Sequence, residues 1–332
     1  MADILQFPIY KASATLTKAG MLVQIFYPEN PAFVNKKIES NANGPDIFDE
    51  LSISGYSKIA TAENPIRPAS AGYVYMFQDE KIMFHRRDMG AKIHKMFHSV
   101  SVGYPQNKEE IFGRNALETI AKREASEECM LITRERNPWI VAPTELMEET
   151  EKQAKKYGIE MKIREIKGER IRAPDTIEAY SSQGELIYRA NGIVEFGFEK
   201  ETFLNLLIAL QLQIDSTEIM PVDMEGKQSE DGYERFNRES YLAKMETLPR
   251  FGKPLKDFEV FQAKIEAGKL IPDIPAYKGT IFNGPEGIQV EHPHIFAPDD
   301  MLVRVLDALG AKEYEGKWMQ IEKEKELELK HQ

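Results

Sequence analysis

The stretch from Asn115 to Cys129 constrains this chain most, because it carries helix chemistry throughout and its apolar stripe changes character midway. At about 100° per residue, Leu117, Ile120 and Ala121 share a narrow sector, and the same sector continued along the axis reaches Glu124, Glu127, Glu128 and then Leu131. Such a helix buries its first half and turns its second half toward something that tolerates three carboxylates. Two unit charges about 4 Å apart repel by about 1 kcal/mol in water and about 4 kcal/mol near a protein surface. A divalent cation removes that conflict, and oxygen-only ligands suit Mg²⁺, with Mn²⁺ as the alternative ion. The plain alternative is a solvated acidic face. Asn115 and Glu118 stand at capping-box spacing at the start of the helix.

Around this helix the chain reads as a mixture of strands and helices. Tyr73 to Phe77 and Ile82 to Phe84, separated by Gln78-Asp79-Glu80-Lys81, predict a β-hairpin, and Phe97 to Val102 predicts another strand ending at Gly103. A second helix is expected over about Thr144 to Tyr157, stopping at Gly158. Strands are expected at Ile159 to Ile166, around Leu186-Ile187-Tyr188, and at Gly192 to Phe198. Periodicity leaves Phe203 to Leu212 open between a short helix and a buried strand. Arg238 to Met245 is a short helix candidate, and Asp299 to Leu309 is helix-like before a tail of alternating Lys and Glu.

Composition bounds the function classes. The 332 residues allow about two domains, or one with sizeable additions. A net charge of −11 argues against a protein that blankets nucleic-acid phosphates with positive charge, so long nucleic acid is not the expected partner. The single cysteine, Cys129, excludes an intramolecular disulfide and a multi-cysteine zinc site. The first residues lack a secretory pattern, and Phe203 to Leu212 is too short to span a bilayer, so a cytoplasmic location with no membrane partner is expected. Glycine-rich phosphate loops of the kinase or dinucleotide-binding spacings are absent.

The run Arg123-Glu124-Ala125-Ser126-Glu127-Glu128-Cys129-Met130-Leu131 resembles the second half of the signature box of the Nudix hydrolases. It matches that box at its Arg, all three Glu and the final aliphatic residue. Strict spacing puts Glu109 where the family has its first Gly, Asn115 at its first Glu, Ala125 at its aliphatic position and Met130 at its helix-ending Gly. With Met130 there, the helix either continues or leaves by a different exit. The resemblance covers about residues 70 to 248, with 142 to 185 as an insertion, 1 to 69 as an N-terminal extension and 249 to 332 as a C-terminal extension. It implies an α+β fold in which a Nudix-like mixed β-sheet is sandwiched between helices.

The implied activity is that of a Mg²⁺-dependent pyrophosphohydrolase cleaving a nucleoside diphosphate linked to another group, of dinucleotide, nucleotide-sugar or ADP-ribose type. The metal ligands would be Glu124, Glu127 and Glu128, with the Gly103 carbonyl as a further one. Arg123 would orient the glutamates, Asn115 would replace the first Glu as a helix cap, and Glu218 is a candidate base. Arg86 and Arg87 are candidates for binding substrate phosphate. The alternative is a Nudix-fold nucleotide-binding or regulatory protein without catalysis, and a third class is an interaction scaffold built on the flanks. The additions leave room for a homodimer. His85, His94 and His98, and the Glu291-His292-Pro293-His294 run, read more simply as packing, surface or loop residues than as metal sites.

Overall fold

The computed structural model describes residues 2–4, 11–17, 20–27, 36–38, 66–86, 97–99, 102–107, 110, 113–197, 202–224, 227–230, 233–248, 253–255, 257–273, 280–283, 289–292, 295–296 and 300–310. In chain order its main elements begin with β1 (Lys11–Thr17), β2 (Gly20–Phe26), β3 (Ile66–Met76), β4 (Lys81–Arg86) and the short β5 (Val102–Gly103). Helix α1 (Ala116–Glu128) runs directly into β6 (Cys129–Thr133), and β7 (Ile140–Pro143) leads through a single 3₁₀ turn to α2 (Met147–Lys156). Then come β8 (Ile163–Ile166), β9 (Asp175–Tyr180), β10 (Leu186–Gly197), β11 (Thr202–Leu212) and β12 (Ile219–Asp223). The series ends with β13 (Tyr233–Lys244), β14 (Phe258–Glu266), β15 (Lys269–Asp273) and α3 (Asp300–Gly310).

A large mixed sheet runs in the order β1-β2-β9-β10-β11-β3-β4-β13-β14-β15. Its parallel pairs are β2 with β9 and β11 with β3. A smaller sheet, β8-β7-β6-β12, is antiparallel except between β7 and β8. The architecture is therefore mixed α+β. Strands from 1 to 69 (β1, β2) and from 249 to 332 (β14, β15) join the same sheet as the central segment, and β9 of the 142 to 185 stretch lies between β2 and β10.

Alternation in the strands explains the layers. On β11, Leu204, Leu206, Ile208, Leu210 and Leu212 enter one core cluster while Leu207 and Ala209 enter the other. Both faces are covered, so the strand reads as a nearly continuous apolar run, which is why periodicity could not separate it from a helix. Its polar member Asn205 is served by its neighbours, accepting from Ser70 Oγ and donating to Glu195 Oε2 at 2.6 Å. Helix α1 closes the first face with Leu117, Ile120, Ala121 and Ala125, and α3 closes the second with Met301, Leu302, Val305 and Leu309. One face of the smaller sheet, with Leu131 and Val141, adds to the α1 core, while Met130, Ile132 and Val222 pack with Ala154 of α2.

The hairpin, α1, α2 and α3 lie where the sequence places them, and other expectations are corrected. Arg238 to Met245 is not a helix. Through Lys244 it belongs to β13, whose Leu242 faces the α1 side while Tyr241 and Ala243 face the α3 side, a period of two that only a strand sustains, and Met245 opens a single 3₁₀ turn. The strand expected from Ile159 begins only at Ile163, because the Ile159 N–H bonds back to the Ala154 carbonyl at 2.8 Å. That bond, with Gly158 N–H to Lys155 O at 3.1 Å and Gly158 at φ 64°, forms a Schellman-type end for α2. The two strands expected around Tyr188 and Gly192 are one, β10. Glu291 and His292 lie in a strand (Gln289–His292) paired with Thr280–Asn283, while Pro293 and His294 lie outside the described residues.

Candidate functional site

The C-terminal half of α1 carries the acidic residues and faces the loop that follows β5. The expected capping box is not the one formed. Asn115 precedes α1 without a side-chain cap bond, and Glu118 instead takes two bonds from Arg170, at 2.8 and 3.2 Å. Charged, bidentate donors outcompete a neutral backbone N–H for that carboxylate. The same spacing is used upstream, where Asn107 Oδ1 accepts from the Glu110 N–H at 3.0 Å and Glu110 Oε2 accepts from the Gln106 N–H at 2.8 Å.

Glu110 is 2% exposed and meets Arg123, whose Nε donates to Glu110 Oε1 at 2.9 Å and Nη2 to Oε2 at 3.1 Å. Nη2 also donates to the Tyr104 carbonyl at 2.7 Å, and Nη1 donates to Glu124 Oε1 and, at 2.9 Å, to Glu127 Oε2. The five donors of the fork are thereby used. Burial works against the charge on Arg123, but the bonds and charges of Glu110 and Glu124 outweigh it and raise its pKa.

Glu124 packs against β5, where a Cβ on Gly103 would fall inside its carboxylate. Only glycine leaves that space. Burial raises the Glu124 pKa and is opposed by Arg123. Glu127 is held on both sides: beyond Arg123, its Oε1 lies 3.4 Å from Gln153 Nε2 and 3.5 Å from Lys156 Nζ, both on α2. Glu128 is buried, and its carbonyl accepts the Met224 N–H at 2.6 Å.

Glu124 and Glu127 thus converge as the helix wheel predicts, but on the guanidinium of Arg123. Among the described residues no three His, Cys, Asp or Glu side chains are gathered closely enough to hold a metal ion as the chain stands. The donor chemistry is that of a hard cation's ligands, since every candidate is an oxygen, but three carboxylates, Glu110, Glu124 and Glu127, already face one guanidinium and one half-exposed lysine. Loading the site requires Arg123 Nη1 to release at least one carboxylate.

The other residues singled out from sequence lie elsewhere. Glu218 is exposed in the turn before β12, at the Thr133 end of the β6–β12 ladder, whereas α1 enters β6 at Cys129, opposite Asp223. Asp215 and Arg134 engage its backbone, through Glu218 N–H to Asp215 O at 3.0 Å and Arg134 N–H to Glu218 O at 2.9 Å. Arg86 closes β4, paired in register with Phe97 and Glu239, and its side chain lies outside the described residues, as do Arg87 and His94 and the side chain of His98. Met130 has no need of glycine's conformations, because α1 ends at an extended Cys129 (φ −135°, ψ 131°) and Met130 already lies in β6.

Sequence reasoning missed Glu110, Gln153 and a buried group behind the end of α1. His85 Nδ1 of β4 lies 3.0 Å from Asp223 Oδ2 of β12 and 3.1 Å from Ser240 Oγ of β13, all three side chains shut from solvent. This group joins the two sheets. The Asn107/Glu110 spacing was a readable signal for the first, and nothing local marked the others. No helix among the described residues is long and apolar enough to cross a membrane. Comparisons with known protein families, with curated proteins and with solved structures found no match to this chain.

Proposed function

We propose that the chain is a Nudix-like, Mg²⁺-dependent hydrolase acting on the phosphoanhydride bond of a nucleoside diphosphate linked to another group. The observation that carries this reading is the Arg123 hub: one guanidinium bracing the Glu110 loop while drawing Glu124 and Glu127 together beside Gly103. The resemblance gives the first Glu of the box a loop-bracing role. Glu110 fills that role from five residues upstream of Asn115, the position strict spacing assigns to it. The setting of α1 between a mixed sheet and a smaller sheet, with α3 on the far face, accords with the same reading.

Glu124, Glu127 and Glu128, with the Gly103 carbonyl, would hold the cation. Bound there, it would neutralise pyrophosphate charge and lower the pKa of an attacking water. Arg123 keeps the carboxylates aimed at one point, a task suited to its rigid fork. Glu218, distant along β12, is left without a catalytic role.

The test is Mg²⁺-dependent release of a nucleoside monophosphate from a panel of dinucleotides, nucleotide sugars and ADP-ribose, with Glu127→Gln as control. The reading expects turnover on at least one substrate and at least a hundredfold loss in the control. Equal rates, or no turnover anywhere, would overturn it. The second reading, nucleotide binding without hydrolysis, is favoured by Arg123 occupying the point on which Glu124 and Glu127 converge. Calorimetric binding with the nucleotide recovered intact would select it.

A further inference from the structure

The loop between β6 and β7 stands at the Thr133 end of the smaller sheet, the end away from Cys129, where α1 enters. It is fixed at both of its bases. Arg134 Nε donates to the Ile219 carbonyl at 2.9 Å and Nη2 to Glu259 Oε2 at 2.7 Å, while the Trp139 N–H donates to Thr133 Oγ1 at 3.0 Å and the Trp139 carbonyl accepts the Thr133 N–H at 2.9 Å. Between these anchors Glu135, Arg136 and Asn137 are exposed. Trp139 is 36% exposed, the only aromatic ring so open among the described residues. The ladder places Lys162 beside it, since Ile140 pairs with Ile163 and the Ile140 N–H bonds the Lys162 carbonyl at 2.9 Å. Lys162 Nζ lies over the Trp139 ring, 5.3 Å from its centroid. Arg164 shares the face of Lys162, because Ile163 between them packs with Ile132 and Ile140 on the other side of the sheet.

Acids outnumber bases 54 to 43 in this chain, and nearby cations are taken up, Arg134 by Glu259 and Lys152 by Glu149 at 2.6 Å. Arg136, Lys162 and Arg164 are exposed and, among the described residues, form no ion pair. The acids of β8 and its approach are engaged elsewhere: Glu165 accepts from Thr144 Oγ1 at 2.6 Å, and Glu160 lies against Gly268. A ring with an ammonium on its face, beside two guanidinium groups, suits a ligand that carries both π faces and anions. A nucleobase stacks on an indole, and the flexible stem of lysine lets its ammonium pass from ring to phosphate. A protein partner fits less well, because the exposed neighbours of Trp139 in chain and register are Arg136, Asn137 and Lys162, with no large apolar side chain to form a dry centre. A duplex keeps its bases stacked on each other and offers none to the ring.

We propose that the β6–β7 loop and β8 form a small surface for single-stranded nucleic acid, on which one base stacks on Trp139 while Arg136, Lys162 and Arg164 take phosphates. The net charge of −11 restricts this to a local grip on a short single-stranded stretch. The surface goes beyond the hydrolase reading and stands independently of it.

The test uses the full chain and the fluorescence anisotropy of a labelled oligothymidylate of about ten nucleotides, within the span of a single-strand site. A duplex of the same length and a polyglutamate peptide serve as competitors. Three phosphate contacts give an expected slope of about −2 for the logarithm of affinity against that of salt concentration. Trp139→Ala is expected to weaken binding about tenfold, and Trp139→Phe by less. Lys162→Gln and Arg164→Gln should each weaken binding and flatten the slope by about 0.7. No binding by the wild type at low salt, or undiminished affinity in Trp139→Ala, would overturn the proposal. Polyglutamate that binds more tightly than the oligonucleotide would overturn it in favour of an acidic protein, and a duplex that binds as tightly would remove the role of stacking and overturn it as well. The altered side chains are all exposed, so melting temperatures should hold. If Trp139→Ala nevertheless fails to fold, Lys162→Gln and Arg164→Gln decide: unchanged affinity and slope in both sinks the proposal.

Discussion

Arg123 shows what one side chain can organise. It faces Glu110 on a loop, a carbonyl at Tyr104 and two acids of its own helix, and a lysine with three donors on a flexible stem cannot serve all of these. Arg123→Lys is expected to lose about 3 kcal/mol of stability in the metal-free protein, because it leaves buried carboxylate oxygens of Glu110 and Glu124 without donors. Urea unfolding at neutral pH measures this. A change below about 0.5 kcal/mol would mean that the acids find water instead, as ordinary surface positions do. The wheel of α1 made the convergence of Glu124 and Glu127 legible in the sequence. The resemblance named Arg123 as the residue that orients them, but its reach to Glu110 and the Tyr104 carbonyl was not legible, because the wheel places residues on a face without saying which loop a side chain meets beyond it.

At the scale of elements, the start and the end of α1 separate what spacing can and cannot foretell. The start is tied by a network in place of a cap: Arg170 bonds Glu118 and Glu145, and the buried Tyr73 hydroxyl donates to Glu145 at 2.8 Å. Burial tends to raise the Glu145 pKa, but the bonds from Arg170 and Tyr73 prevail and lower it. A carboxylate depressed in the fold contributes stability above its ordinary 4.5, and loses it as pH falls through the lowered value. Glu145→Gln is therefore expected to cost about 1 kcal/mol at pH 7, an amount discounted for the partial exposure of Glu145 and Arg170. The gap should narrow steadily below about pH 4, which denaturation curves at several pH values would reveal. A gap independent of pH would assign the effect to packing.

The end of α1 tests the sequence resemblance directly. A helix-ending glycine in a left-handed conformation would make Met130→Gly neutral or stabilising. Met130 is instead extended in β6, 1% exposed and packed with Ile132, Val222 and Ala154 of α2, so the substitution should cost about 3 kcal/mol or more. Thermal or chemical unfolding distinguishes the two outcomes. The strand-to-strand register that makes this exit work, with Asp223 opposite Cys129, involves residues far apart in the chain, and no local pattern encodes it.

For the whole molecule, the large sheet does not respect the boundaries that composition and resemblance suggest. Removing 1 to 69 strips β2 from β9, and with it the bond from the Met21 N–H to Asp175 Oδ1 at 2.8 Å. The other oxygen of Asp175 accepts the Val194 N–H at 2.9 Å and meets Arg304 of α3 at 3.3 Å, so one buried aspartate ties both flanks to the centre. Removing 249 to 332 takes away Met301, Leu302, Val305 and Leu309 and uncovers Val74, Ile193, Leu207 and Ala209 on the opposite face. Each large apolar side chain so exposed forfeits about 1.5–3 kcal/mol, and several together are comparable with the typical margin of about 5–15 kcal/mol. The isolated segment 70 to 248 is accordingly expected to aggregate or remain unfolded, as judged by size-exclusion chromatography and near-ultraviolet circular dichroism. A soluble, cooperatively melting 70 to 248 fragment would show that β1, β2, β14, β15 and α3 are additions to a self-sufficient centre. The flanks would then be free to serve a partner instead of the fold.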